Sequence, residues 1–441
     1  LKAQLVPVYF SRDKTEKFDR QISEIKEQLS ACAQLLDPVA LGDDIPASAD
    51  AVLFPEILGE AYEQSAAFTQ ISVPILILTS EFMTISMWDW EIINFLKWKG
   101  VDVLSPYTKE QTETVCRSLA AKKEMAQSKF LIFQDNPGKG FQPEIFKCFY
   151  WWTEECTKLL SEVFGVTIER RSLKALGEKE EHIPEADARK EAESWDLPTD
   201  SSLSEAAMIQ AAKFYLAVKE SIGNDQSVKG IGSNCLNESH FSKTTPCAAW
   251  NQLFEREGIL WACEGDTISL AITYLLYHSL HAPVMMTNIY PFLMGMAALK
   301  HEGIPNFPEL VDDPENHILL AHCGYFGLAP QSFCSSWQLR PPVLGIVNET
   351  AHALDVRFPT GAVTMVKIDA AMKHIMVIEG ELRGYVQYPG SDCRNGAIVR
   401  VPNGHALMKQ IYSHHQLLLA GHWSAHIELI AEVFNLTVEK L

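Results

Sequence analysis

Basic residues are scarce in this chain. Its 37 Lys and Arg face 56 Asp and Glu, a formal net charge of −19 with the 14 His counted as neutral. A surplus of that size repels phosphate backbones and anionic headgroups, which argues against nucleic acid or a membrane surface as the main partner. Long apolar runs are missing as well. No stretch approaches the roughly 18 uninterrupted residues of a spanning helix, and the longest candidate, around 269–280, is broken by Tyr274, Tyr277 and His278. The ten cysteines are dispersed over 441 residues without a C-x-x-C pair. Disulfide scaffolds are short and cysteine-dense, so free thiols in a reducing cytoplasm are expected. The apolar opening soon meets Arg12 and Asp13, and reads as a first strand rather than a signal segment. What is present, 47% apolar and 21% charged residues, is the balance of a globular chain of two to four domains.

Short apolar runs alternate with helical patterns from residue 6 to 104 and again from 129 to 232. Such alternation predicts two Rossmann-like parallel-sheet domains of the α/β class. Residues 178–204, rich in Glu, Lys, Asp and Pro, read as a solvated, partly helical insertion. Beyond Pro341 the pattern changes to β-rich runs at 343–347, 354–357, 363–368, 374–381 and 397–401, punctuated by Gly, Pro and Asn. These predict a C-terminal domain with a β-barrel-like antiparallel portion. The expected segments are 1–106, 107–285 carrying Glu264, and 286–441 carrying His415.

Residues 258–326 hold the chemistry. Three strand-like runs end at Glu264-Gly265-Asp266, at Asn288 and at His322-Cys323-Gly324, with helices expected at 267–280 and 291–300. Read as successive strands of one parallel sheet, they bring Glu264, Asn288 and His322 to the carboxyl edge where such sheets bind ligands. Asp266 or Thr267 is placed to cap the following helix. Five of the 14 histidines lie between 405 and 426. His415 and His422 flank a core strand at 417–420, and one of them is expected to reach Glu264. Carboxylate and imidazole together suit Mn²⁺, Zn²⁺ or Fe²⁺. Cys263 and Cys323 are expected to alternate away from the site as packing residues. A thiol enzyme built on either of them with His322 is disfavoured, because an apolar strand raises a thiol's pKa.

Thr245-Pro246-Cys247, Ala262-Cys263-Glu264-Gly265-Asp266, Ala321-His322-Cys323-Gly324, His414-His415 and Gly421-His422 resemble the L-fucose/L-arabinose isomerase superfamily, closest to its fucose isomerase-like members. The resemblance implies a Mn²⁺-dependent interconversion of aldose and ketose sugars through an ene-diol, in a cytoplasmic homo-oligomer. By that resemblance Glu264, Asn288, His415 and His322 would be metal ligands, and Glu264, Asp266 and Asn288 catalytic. Arg12, Trp88 and His414 would contact the sugar. Asn288 stands where the family has its second carboxylate, and an amide takes no proton at neutral pH. A sugar-binding protein with impaired catalysis is therefore the alternative.

Overall fold

The computed structural model describes residues 1–10, 14–57, 59–135, 149–291, 313–343, 348–387 and 395–441. Strands Ala3–Tyr9 (β1), Ala33–Leu35 (β2), Val39–Ala40 (β3), Ala51–Phe54 (β4), Ile75–Ile77 (β5) and Val103–Leu104 (β6) form one sheet, ordered β2-β1-β4-β5-β6 with β3 also on β1. Every pairing in it is parallel. Lys129–Phe133 (β7), Thr167–Arg171 (β8), Val228–Ser233 (β9) and Leu260–Ala262 (β10) form a second parallel sheet, ordered β10-β9-β7-β8. Helices enter these units through side-chain caps: Thr15 accepts the Phe18 amide, and Thr153 that of Cys156.

The rest of the β structure is antiparallel. Met285–Pro291 (β11), His317–Ala321 (β12), Gly361–Ile368 (β15), His374–Val386 (β16), Gly396–Arg400 (β17) and His415–Ala420 (β18) follow the order β15-β18-β11-β12-β17-β16, and β16 pairs back onto β15. The result is a closed six-strand barrel. Ser336–Arg340 (β13) and Ala353–Arg357 (β14) make a separate ribbon, and Thr437–Lys440 (β19) adds to β16 outside the ring. Closure leaves no open strand edge among the six. Mixed α/β architecture with two parallel sheets and a C-terminal barrel is thus the fold that alternation and strand spacing predict.

By contact the chain divides into two compact units: residues 1–126 with 278–281 and 425–437, and residues 127–277 with 282–424 and 438–441. The second unit contains both the four-strand parallel sheet and the barrel. The segment 178–204 is more structured than a solvated insertion. It includes helix Glu185–Glu193, where Ala188 is fully buried, and Glu180 is buried with bonds to Gln210 and Ser242. The expected helix at 291–300 and the expected strand at 343–347 lie largely outside the described residues.

One expectation about the sheet fails. Glu264, Asn288 and His322 do not end three strands of one parallel sheet. Only Glu264 follows a parallel strand, β10. Asn288 is interior to β11, paired with His415 on one side and Ala321 on the other, and His322 follows the antiparallel β12. The reason is burial: β12 and nearly all of β11 are buried residue after residue. Such runs lose the in–out alternation that marks an antiparallel strand and read as parallel ones.

Candidate metal centre

The site is assembled within the second unit from the end of β10, the barrel strands β11 and β18, and the turn after β12. At the end of β10 the chain enters a tight turn, Cys263–Gly265, in which Glu264 takes a left-handed backbone (φ 55°, ψ 19°). That conformation is unfavourable for a residue with a Cβ and survives only where neighbours impose it. Here the indole N–H of Trp152 donates to the Glu264 carbonyl at 2.6 Å. After β12, Cys323 (φ 51°) and Gly324 (φ 87°) sit at the centre of a two-residue turn closed by reciprocal His322–Tyr325 backbone hydrogen bonds. Positive φ at both central residues is the signature of a type I′ turn. It leaves His322 buried at the turn's base.

Glu264 lies between two imidazoles. One carboxylate oxygen is 3.9 Å from Nε2 of His322, and the other is 3.8 Å from Nε2 of His415, with the rings 5.9 Å apart. All three side chains are buried. Neither Nε2 atom has a hydrogen-bond partner among the described residues, nor does Oδ1 of Asn288, the strand neighbour of His415. The other side of the His415 ring is tied down, with Nδ1 2.8 Å from Oδ2 of Asp266. Donation from Nδ1 turns the Nε2 lone pair toward the Glu264 carboxylate, an arrangement that calls for positive charge between them. Burial disfavours a charge on His415, but Asp266 and Glu264 outweigh it and raise its pKa. Burial likewise opposes ionisation of Glu264, and the nearby His415 and His322 overcome it, leaving the carboxyl below its ordinary value.

Asp266 is not a free acid or base, contrary to the catalytic role expected of it. Its Oδ1 accepts the Ser269 amide at 2.9 Å, capping helix Thr267–Leu280. Its Oδ2 accepts from the Ser269 hydroxyl, from the Lys367 ammonium at 2.9 Å and from His415. Burial pushes its pKa up, but the Lys367 charge and the His415 bond prevail and hold the carboxyl far below the usual range. Asp266 therefore orients the His415 ring through its Nδ1. Lys367 is fully buried on β15 beneath it. Sequence reasoning missed this residue, although a lone Lys inside the apolar run Val363–Ile368 is a visible signal.

The cysteines also depart from expectation. Cys263 does not turn away, because the strand ends at Ala262 and alternation ends with it. Its sulfur, a Glu264 carboxylate oxygen and a His322 ring nitrogen lie within 4.8 Å of one another, a group able to hold a metal ion. Cys235 Sγ is 3.7 Å from Cys263 Sγ, and Cys323 Sγ is 3.1 Å from His322 Nδ1. Against the expectation of raised thiols, a hydrogen bond from Cys263 lowers the pKa of Cys323, with His322 adding to it, while Cys263 itself is raised. The eight cysteines among the described residues are free. A cavity lined by Cys235, Cys247, Cys263, Glu264, Cys323 and His352 opens beside this cluster.

Of the remaining candidates, His414 adjoins the cluster. His414 is half-buried, its ring 4.3 Å from that of His415 and 5.5 Å from Phe149, and burial with the His415 charge lowers its pKa to about 3. His422 is exposed and pairs with Glu379, so His415 is the histidine that approaches Glu264. Trp88 belongs to the first unit and is exposed. Arg12 lies outside the described residues. Among those residues no helix is long and apolar enough to cross a membrane. No protein-family model matches the chain, and no curated protein matches it either.

Proposed function

We propose that the chain is a divalent-metal-dependent aldose–ketose isomerase acting on a sugar or modified sugar, in keeping with the superfamily it resembles. One observation carries the reading: two buried imidazole nitrogens, Nε2 of His322 and Nε2 of His415, face the Glu264 carboxylate without a hydrogen-bond partner among the described residues, and Oδ1 of Asn288, the strand neighbour of His415, also lacks one. Buried polar atoms are ordinarily satisfied, and an unpaired set around a carboxylate suits a cation. Glu264, His322 and His415 would hold the ion, with Asn288 adding a neutral oxygen. A bound divalent ion, Mn²⁺ by the resemblance, would polarise neighbouring sugar oxygens and acidify the intervening C–H.

Glu264, ligand and base at once, takes the proton from C2 of the aldose to give the ene-diol and returns it to C1, while the O2 hydroxyl proton passes to the neighbouring O1, which leaves the ketose. Asp266 keeps His415 in register during that transfer, and the buried surroundings keep water from competing. As in the resembled family, a homo-oligomer is part of the proposal. In the first unit Phe82, Met87, Trp88, Trp90 and Trp98 are each exposed, and large apolar side chains of this kind are what a subunit contact would cover.

The test is turnover of an aldose panel by metal-stripped protein reloaded with Mn²⁺, Co²⁺ or Zn²⁺. Glu264→Gln lowers turnover by about 100-fold or more, the scale of a lost general base; unchanged turnover refutes the assignment. A second reading, a sugar-binding protein without catalysis, is favoured by the engagement of Asp266, which leaves Glu264 without a second free carboxylate. It predicts sugar binding with no ketose formed under any of the three ions.

A further inference from the structure

We infer that Cys263 is a thiolate ligand of the ion held at Glu264, and that the site selects a thiophilic divalent ion, zinc foremost, over manganese. The inference rests on the metal-centre reading above and deepens it. Consecutive side chains on a strand diverge, so Cys263 and Glu264 would ordinarily not face one point. The left-handed backbone at Glu264 removes that constraint. It brings the Cys263 sulfur and the Glu264 carboxylate within 4.8 Å of each other and of a His322 ring nitrogen, all three residues being buried.

The strain is held in place from two sides. Trp152 anchors the Glu264 carbonyl, and the Cys235 thiol lies 3.7 Å from the Cys263 sulfur. A backbone conformation that costs about 1–3 kcal/mol persists at sites that use it. With the Cys263 thiolate added to the Glu264 carboxylate and the His322 and His415 imidazoles, the donors are of the types that bind zinc, and substrate or water would enter by expansion to five-coordination. Manganese prefers oxygen donors, whereas a soft sulfur donor shifts preference toward zinc or ferrous iron. A Mn²⁺ site of the expected kind has no use for the thiol, yet the turn delivers it.

The experiment titrates Co²⁺, a spectroscopic stand-in for zinc, into chelator-stripped full-length protein kept reduced with a phosphine. One equivalent binds and produces a near-ultraviolet thiolate-to-cobalt charge-transfer band. The band is lost in Cys263→Ser and retained in Cys323→Ser. Competition dialysis of wild type favours Zn²⁺ over Mn²⁺, and Cys263→Ser narrows that preference by roughly tenfold or more. X-ray absorption of zinc-loaded wild type, which needs no variant, gives one sulfur neighbour at about 2.3 Å. Stoichiometric Co²⁺ binding with no sulfur signal, or a band that survives Cys263→Ser, overturns the thiolate ligand and leaves the metal centre standing. Failure of wild type to bind any of the three ions overturns both.

Discussion

Acidification should loosen the second unit at one identifiable residue. His352 is fully buried and accepts the Ala248 amide on Nε2 at 2.9 Å. Ala248 lies in the first turn of helix Cys247–Glu257, whose cap residue Pro246 offers no side-chain acceptor, so the imidazole satisfies a donor the helix cannot. Its own amide donates to Oγ1 of Thr245 at 3.0 Å, binding the loop before β14 to that helix start. Burial lowers the His352 pKa from 6.5 to about 4. The unfolded chain therefore takes up this proton first as pH falls. Stability from the neutral imidazole is complete above pH 6.5 and drains away as pH approaches 4, by about 3 kcal/mol in all. Protonation also turns the Nε2 acceptor into a donor aimed at an N–H. Urea melts of wild type and His352→Gln between pH 4 and 7.5 isolate the effect, since other titrating groups cancel in the difference. Wild type should lose about 3 kcal/mol relative to the variant across that window, and the imidazole resonances should titrate near 4. A pH-independent difference, or titration near 6.5, would refute the reasoning.

Lys367→Met should destabilise the protein by about 3–5 kcal/mol, because it strands the Asp266 charge in the interior; adding Asp266→Asn should recover part of the loss in the same thermal melt. Asp266→Asn alone should weaken metal affinity roughly 10–100-fold by releasing the His415 ring, read by isothermal titration with Zn²⁺. Gly396→Ala would set a Cβ 1.8 Å from the Leu320 carbonyl oxygen where β17 meets β12. It should cost at least the about 1–3 kcal/mol of ordinary overpacking, seen as a lowered Tm or loss of soluble protein.

Much of this architecture is legible in the chain. Strand–helix alternation up to residue 232 marks the two parallel sheets, and Gly-, Pro- and Asn-punctuated β runs after residue 341 mark the barrel. Glu264 and His415, 151 positions apart by subtraction of their numbers, stand out by chemical type and position, and they do lie 3.8 Å apart. What pattern cannot convey is strand direction in a fully buried run, which is why β11 and β12 read as parallel. Nor can period-two reasoning pass through a residue at positive φ. Cys263 faces the site because β10 ends at Ala262 and the left-handed backbone of Glu264 follows, so strand alternation does not reach it. Asp266 was legible as a cap, but its engagement by Lys367, 101 residues later, depends on how the barrel closes.

The closed ring also constrains how such a protein can vary. In an open sheet, one strand can slide against a neighbour and the disturbance stops at the edge. Here a one-residue insertion in β18 would carry His415 to the opposite face, and the shift would have to be absorbed by each of the other five strands before the circle met again. Side-chain exchanges on β11, β15 and β18 leave that register intact, whatever they do to packing or charge. Changes in chain length are confined to the connections between strands, where a new substrate would have to be accommodated.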